Sequence, residues 1–209
     1  MEAKDLIVRV EALDVATGNE CAFSCAECKY AYRDSIFKKE WKHQYIVTYV
    51  TYCLQKTPEY RLEYGNVRNE LEKRGEGVTL DNVRKVIIAI REAKLPDPKV
   101  QGNAGSFFMN PIIPRKQYED LLALYPDLPH YDVDEAHVKV PAAWMIDRCG
   151  WKGKQMGRAG VHDKQALVLV NCGGATGQEV IALSKAIQGS VKEKFGIEMK
   201  ISKSGSLRI

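Results

Sequence analysis

Residues 94–111 read KLPDPKVQGNAGSFFMNP, and the prolines near the front decide how the chain divides. A proline has no N–H to give and forces the residue before it out of the helical region, so Pro96 stops any incoming helix by about Lys94. Beyond it, Gly102 and Gly105 bracket Asn103-Ala104, where the missing Cβ lets backbone approach a bound molecule. Ser106 then presents a hydroxyl from a turn, and Phe107 and Phe108 can anchor that turn in a core. Such a run builds a site rather than a plain connection.

Upstream, Asp5 to Val15 alternates apolar and polar residues, Thr17-Gly18-Asn19 turns the chain, and Cys21 to Tyr30 suits a returning strand. Tyr45 to Leu54 is rich in β-branched and aromatic residues and reads as a strand; Tyr60 to Tyr64 is a shorter candidate. Val83, Val86, Ile87 and Ile90 then fall at helical spacing, with Thr79 or Asp81 as cap. Downstream, Lys116 to Leu124 and Ala142 to Cys149 read as short helices, the second with Gly150 as C-cap, and Ala166 to Asn171 as a buried strand. Thr176-Gly177-Gln178-Glu179 has the form of a capping box. Val180, Leu183, Ile187, Val191 and Phe195 keep helical spacing behind it until Gly196. The seam falls near Lys94 to Pro98, strand-rich before it and helix-rich α+β after it.

The chain has 209 residues, 45% of them hydrophobic and 28% charged, which suits one globular domain or two small ones. A formal charge of +4 is mild, and no Lys/Arg block is dense enough to argue for nucleic acid. No apolar run reaches membrane-spanning length, and Met1 to Asp5 is too polar for a signal peptide. The expectation is a cytoplasmic protein.

Of six cysteines, Cys21, Cys25 and Cys28 have the spacing C-x3-C-x2-C, which holds an iron–sulfur cluster in radical S-adenosylmethionine enzymes. The expected βα repeats and nucleotide-binding glycine segment do not follow, so the favoured reading places these thiols in or beside two short strands. Cys53, Cys149 and Cys172 read as small buried hydrophobes.

The run 94–111 also resembles the UDP-N-acetylenolpyruvoylglucosamine reductase family, flavoenzymes of peptidoglycan precursor synthesis. So, in the same order, do Tyr32-Arg33-Asp34-Ser35-Ile36-Phe37-Lys38, Leu62-Glu63-Tyr64-Gly65, Ala143-Trp144-Met145-Ile146-Asp147, Trp151-Lys152-Gly153 and 159–168. The resemblance implies an α+β fold: a remnant of an FAD-binding α+β domain at 1–95, then a small α+β substrate-binding domain at 96–209. It implies reduction of UDP-N-acetylglucosamine enolpyruvate to UDP-N-acetylmuramate with FAD and NADPH. Arg33 becomes the stabiliser of a developing enolate and Ser106 the proton donor. Tyr64, Lys94, Asn110, Tyr131, Lys152 and Gln165 become substrate contacts, the two lysines serving the pyrophosphate. Arg91 is placed near the flavin, and His162 is given a structural hydrogen bond rather than a catalytic role.

Two departures follow from the same resemblance. The family's long N-terminal region, with the glycine-rich loops that cradle FAD, is missing, since residues 2–6 already match the late part of the flavin-binding half. Gly173-Gly174-Ala175-Thr176-Gly177 can receive an anion before a helix, but a turn after a strand is the favoured reading. The family's C-terminal catalytic glutamate falls at about Ser202, and 202–209 loses the family pattern. The expectation is a truncated homologue that neither holds FAD tightly nor turns over alone, with exposed surface that invites association. The alternatives are a UDP-sugar-binding module without redox activity and a radical enzyme built on Cys21, Cys25 and Cys28.

Overall fold

The computed structural model describes residues 3–202, Tyr64 by its backbone alone. The readings made for residues 1–2 and for the tail beyond Ser202 lie outside the described residues. Two compact units are present, one running to Arg61 and the other from Leu62.

The first unit is a three-stranded antiparallel sheet, β1 (Ile7–Asp14), β2 (Glu20–Ser24) and β3 (Tyr45–Tyr52), with β1 in the middle. Val10, opposite both Phe23 and Val50, is wholly buried, as is Ala12 beside it. Gly18 turns the β1–β2 hairpin at φ +72°, and the Asp14 carboxylate accepts from the Ala16 and Thr17 N–H groups. Those bonds, with Thr17 foremost, hold the Asp14 carboxyl below the usual range. Phe23, Phe37, Trp41 and Tyr45 pack ring against ring, Phe23 to Trp41 at 4.4 Å between centroids. The outer strand β3 carries no charged residue, and Ile46, Val47, Tyr49 and Tyr52 are exposed along it.

The returning strand is shorter than expected, ending at Ser24 rather than Tyr30. The Glu27 carboxylate accepts from both the Ser24 N–H and the Ser24 hydroxyl, which closes a turn there, and Lys29 enters the left-handed region at φ +45°. The candidate strand at Tyr60 to Tyr64 does not form. Gly65 and Asn66 are both left-handed, at φ +72° and +69°, and swing the chain from extended backbone into a helix.

That helix, α1 (Val67–Arg74), opens the second unit and packs beside α2 (Leu80–Lys94). Thr79 caps α2 by accepting from the Asn82 N–H at 3.2 Å, and the helix stops at Lys94, two residues before Pro96. Then follow β4 (Asn103–Ser106), β5 (Ile112–Pro114), α3 (Arg115–Leu124), β6 (Tyr131–Asp132), β7 (His137–Lys139) and α4 (Ala142–Arg148). The chain continues as β8 (Gln155–Met156), β9 (Ala159–Val161), β10 (Val168–Asn171) and α5 (Gly177–Phe195). The strands form two small antiparallel sheets, ordered β4-β10-β9-β8 and β5-β7-β6. The fold is therefore α+β.

One core joins these elements. Phe107, Phe108, Val138, Val140, Met145, Ile146, Leu169, Leu183, Ile187, Val191 and Phe195 pack within it. Burying each phenylalanine is worth about 1.5–3 kcal/mol by area. The segment just before Ser202 closes the core from the other side: Met109 N–H donates to Lys200 O, and Ser202 N–H to Phe107 O, each at 2.8 Å.

Glu179 ties the start of α5 to the β8–β9 turn. One carboxylate oxygen accepts from the Thr176 N–H and hydroxyl, completing the capping box; the other accepts from the Arg158 N–H and guanidinium. These bonds, led by the Thr176 N–H, hold its carboxyl at about 2, from an ordinary 4.5. The stability it contributes is thus complete above pH 4.5 and lost as pH falls towards 2. Glu179→Gln is expected to be less stable than the parent at pH 7, with the difference shrinking between these limits; thermal melts across that range measure it.

Candidate functional site

Ser106 ends β4 directly after Gly105, which is left-handed at φ +60°. The Asn103 side chain accepts from the Gly105 N–H at 3.1 Å and shapes the turn from within. Ser106 lies opposite Val168, and the Phe107 N–H donates to Leu167 O at 2.8 Å. The half-buried hydroxyl is therefore carried on backbone fixed by the sheet on one side and by two buried rings on the other.

Gln165 stands close to that edge. Its carbonyl accepts from the Val168 N–H at 3.0 Å, in the turn that feeds β10, and its half-buried side chain approaches the Leu167 N–H at 3.4 Å. Asn110 lies four residues beyond Ser106. Its Oδ1 accepts from the Ala142 N–H at 2.9 Å, at the start of α4, across 32 residues of sequence. Because that bond fixes the amide, the Nδ2 donors are aimed away from the helix start.

Tyr131 is exposed on β6, directly opposite Lys139 of β7, whose ammonium lies 5.5 Å from the ring centroid. The sequence reading did not single out Lys139. The signal was the alternation Val138-Lys139-Val140, since both valines are fully buried and the lysine must face the other way. Lys152 is exposed after α4 and approaches Asp147 at 3.5 Å. Lys94 is exposed at the end of α2, beside a groove of about 370 Å3 lined by Asn66, Glu70, Arg74 and Ile90. Arg91 is exposed one turn earlier on α2. Tyr64 opens the short turn before α1, and its side chain lies outside the described residues. His162 has its ring nitrogen 3.3 Å from Asp163, and its backbone N–H donates to Val168 O.

Arg33 belongs to the first unit. It occupies a two-residue turn closed by reciprocal bonds between Ala31 and Asp34, and is left-handed at φ +53°. That conformation costs a residue with a Cβ about 1–2 kcal/mol, so the arginine is held there by the turn around it. The Asp34 carboxylate is gripped by Lys39 at 2.8 Å. Ala31, Tyr32 and Arg33 line a cleft of about 550 Å3, with Tyr30, Val50 and Tyr52 as its aromatic and apolar walls. Burial pushes the Tyr30 hydroxyl up to about 12, so it stays a protonated donor at neutral pH.

Cys53 and Cys172 are exposed rather than buried, and Cys149 is half-buried. Cys21 points its sulfur at Ala12 O and Cys25 at Lys4 O, while Cys28 is buried, which pushes its thiol up. Among the described residues, no group of three or more His, Cys, Asp or Glu side chains is placed to hold a metal ion. In the glycine-rich turn at 173–177, Asn171 Oδ1 already accepts from the Gly173 and Ala175 N–H groups, and Glu179 from that of Thr176. Those donors serve the fold.

Two stability measurements test this geometry. Asn110→Ala is expected to lose about 1 kcal/mol in urea denaturation, since it uncaps α4, whereas Asn110→Asp keeps the acceptor and most of the stability. Arg33→Gly is expected to be no less stable than the parent, because relief of the left-handed strain offsets the added chain entropy.

Residues 97–202 match the family model of the UDP-N-acetylenolpyruvoylglucosamine reductase C-terminal domain. The chain is 61% identical over 199 residues to the UDP-N-acetylenolpyruvoylglucosamine reductase of Bacteroides fragilis, covering 95% of this chain and 59% of that protein. It is 47% identical over 203 residues to that of Burkholderia cenocepacia, covering 96% and 58%. Among solved structures, it matches the fold of the UDP-N-acetylenolpyruvylglucosamine reductase from Thermus caldophilus with a TM-score of 0.56 at 21% identity, over 95% of this chain and 52% of that one. The chain thus spans less than two thirds of the curated relatives' length. No helix among the described residues is long and apolar enough to cross a membrane. With the match covering residues 97–202, about half of the chain, this protein belongs to the UDP-N-acetylenolpyruvoylglucosamine reductase family.

Proposed function

We propose that this chain carries the substrate-binding and proton-donating part of a reductase that converts UDP-N-acetylglucosamine enolpyruvate to UDP-N-acetylmuramate, in the cytoplasm, for peptidoglycan synthesis. Residues 96–209 form the substrate-binding domain in this reading, and 1–95 contribute to the flavin-binding domain. The observation that carries it is the setting of Ser106: a hydroxyl beside a left-handed glycine, on backbone anchored by Phe107 and Phe108.

The reaction adds a hydride and a proton across the vinyl double bond, with negative charge passing through the carbon that bears the carboxylate. The hydride would come from FAD reduced by NADPH, were it bound. The cleft walled by Tyr30, Val50 and Tyr52 suits a planar aromatic ring, with Arg33 at its edge. Arg91 is a further cation for the flavin. The Arg33 guanidinium, permanently charged, stabilises the developing enolate. The Ser106 hydroxyl delivers the proton to the carbon. Asn110 donates through Nδ2, Gln165 adds an amide, and Lys94 and Lys152 neutralise the diphosphate. Tyr64 and Tyr131 contribute rings or hydroxyls to the nucleotide.

The test is a visible spectrum of the purified chain after incubation with FAD and desalting, followed by NADPH oxidation with the enolpyruvyl substrate. Substrate-dependent oxidation supports the reductase reading. Binding of UDP-N-acetylglucosamine by a colourless, inactive protein supports the binding module instead, and binding of neither removes both. In the active system, Ser106→Ala is expected to lower turnover about 10²- to 10⁴-fold while leaving the affinity for UDP-N-acetylglucosamine within about twofold.

A further inference from the structure

Cys25 and Cys28 are the two ends of a C-x-x-C run that lies just beyond β2. The chain makes one helical turn there: the Cys28 N–H donates to Ser24 O at 3.3 Å, and the Lys29 N–H to Ala26 O at 3.2 Å. Residues three apart in such a turn have Cα atoms about 5 Å apart, inside the range that a disulfide spans. The two thiols also interact electrostatically, and both act on the Tyr30 hydroxyl, which is hydrogen-bonded to the Cys28 sulfur. Three side chains thus meet at the foot of the turn that carries Arg33. Cys21 lies back in β2, with its sulfur turned to Ala12 O.

The pair is unequal. Cys28 is fully buried, while Cys25 is half-buried with its sulfur 3.4 Å from Lys4 O. Burial makes the Cys28 thiol harder to ionise, so Cys25 is the one that a soluble reagent meets first. We propose that Cys25 and Cys28 are a redox-active pair, which a low-molecular-weight disulfide converts to an intramolecular disulfide. The Cys25 thiolate attacks one sulfur of the reagent, forming a mixed disulfide and expelling one thiolate. The Cys28 thiolate then attacks the Cys25 sulfur and expels the second. The chain loses two electrons and two protons, and the reagent is reduced to two thiols. The bridge turns the Cys28 sulfur towards Cys25, so Tyr30 loses its partner. Tyr30 walls the cleft beside Arg33, and the Cys28 carbonyl accepts from the Ile36 N–H at 2.9 Å, so the change reaches both ends of that turn. This thiol chemistry is independent of the reductase reading.

The experiment treats the full chain with oxidised glutathione and maps its cysteines by mass spectrometry after digestion without reductant. The expected product has Cys25 bridged to Cys28, reversibly with dithiothreitol. The exposed Cys53 and Cys172, with no cysteine three residues away, are expected to keep glutathione instead. Cys28→Ser is expected to trap glutathione on Cys25, and Cys25→Ser to leave Cys28 unmodified. Glutathione kept on Cys25 of the parent overturns the proposal, as does a bridge to Cys21, or a Cys25 and Cys28 that both stay reduced while Cys53 reacts. These outcomes are read on the parent chain, whether or not either variant folds. Hydrogen exchange over residues 30–36 then compares the two redox states in a Cys53→Ser, Cys172→Ser background, where neither exposed thiol carries glutathione. Exchange about threefold faster or more is expected in the bridged form, and unchanged exchange overturns the link to the cleft.

Discussion

The second unit depends on how one short segment is held. Phe107 donates its N–H to Leu167 O and accepts from the Ser202 N–H through its own carbonyl, so its peptide groups are engaged on two sides. Its ring, with that of Phe108, is sealed in the core. Replacing a buried ring of this kind by alanine removes about 3–5 kcal/mol, a large fraction of the stability of a small domain. Ser106 inherits this rigidity without being buried itself. A donor that must meet a particular carbon gains from such support, because orientation lost by an ångström costs rate.

The same logic extends outward from the segment. Asn110, four residues on, is fixed by the start of α4, and the central strand β7 then sets Lys139 opposite Ile112 of β5 and Tyr131 of β6. The proposed contacts of the second unit thus sit largely on regular elements or at their ends. Arg33 is the contrast. It is held left-handed in a turn of the first unit, as Lys29 and His43 are in theirs.

Much of the fold was legible because its signals are local. Thr79 and the Thr176–Glu179 box cap the helices as their sequence suggests, and Gly196 ends α5 at φ +65°. The α1 helix was hidden, since only Val67 and Leu71 are buried in an otherwise charged segment, too few to make a stripe. The strand drawn through Cys25 and Cys28 failed because a side chain, Glu27, bonds back to Ser24 and turns the chain, a competition that apolar patterning does not register. The turn that carries Ser106 was visible through its glycine and phenylalanine neighbours. The cap that Asn110 places on α4 was not, because its partner is 32 residues away and is a backbone group with no signature of its own.

That cap has a thermodynamic reach beyond its geometry. One amide serves two masters: its oxygen keeps the first N–H of α4, and its nitrogen is left for whatever binds beside it. A ligand that grips the nitrogen narrows the rotations open to the whole amide, and so makes fraying of α4 rarer. By reciprocity, any change that loosens α4 taxes that ligand by the same free energy, although it touches nothing in the pocket. For such a ligand, occupancy and order in the helix would be one equilibrium written twice.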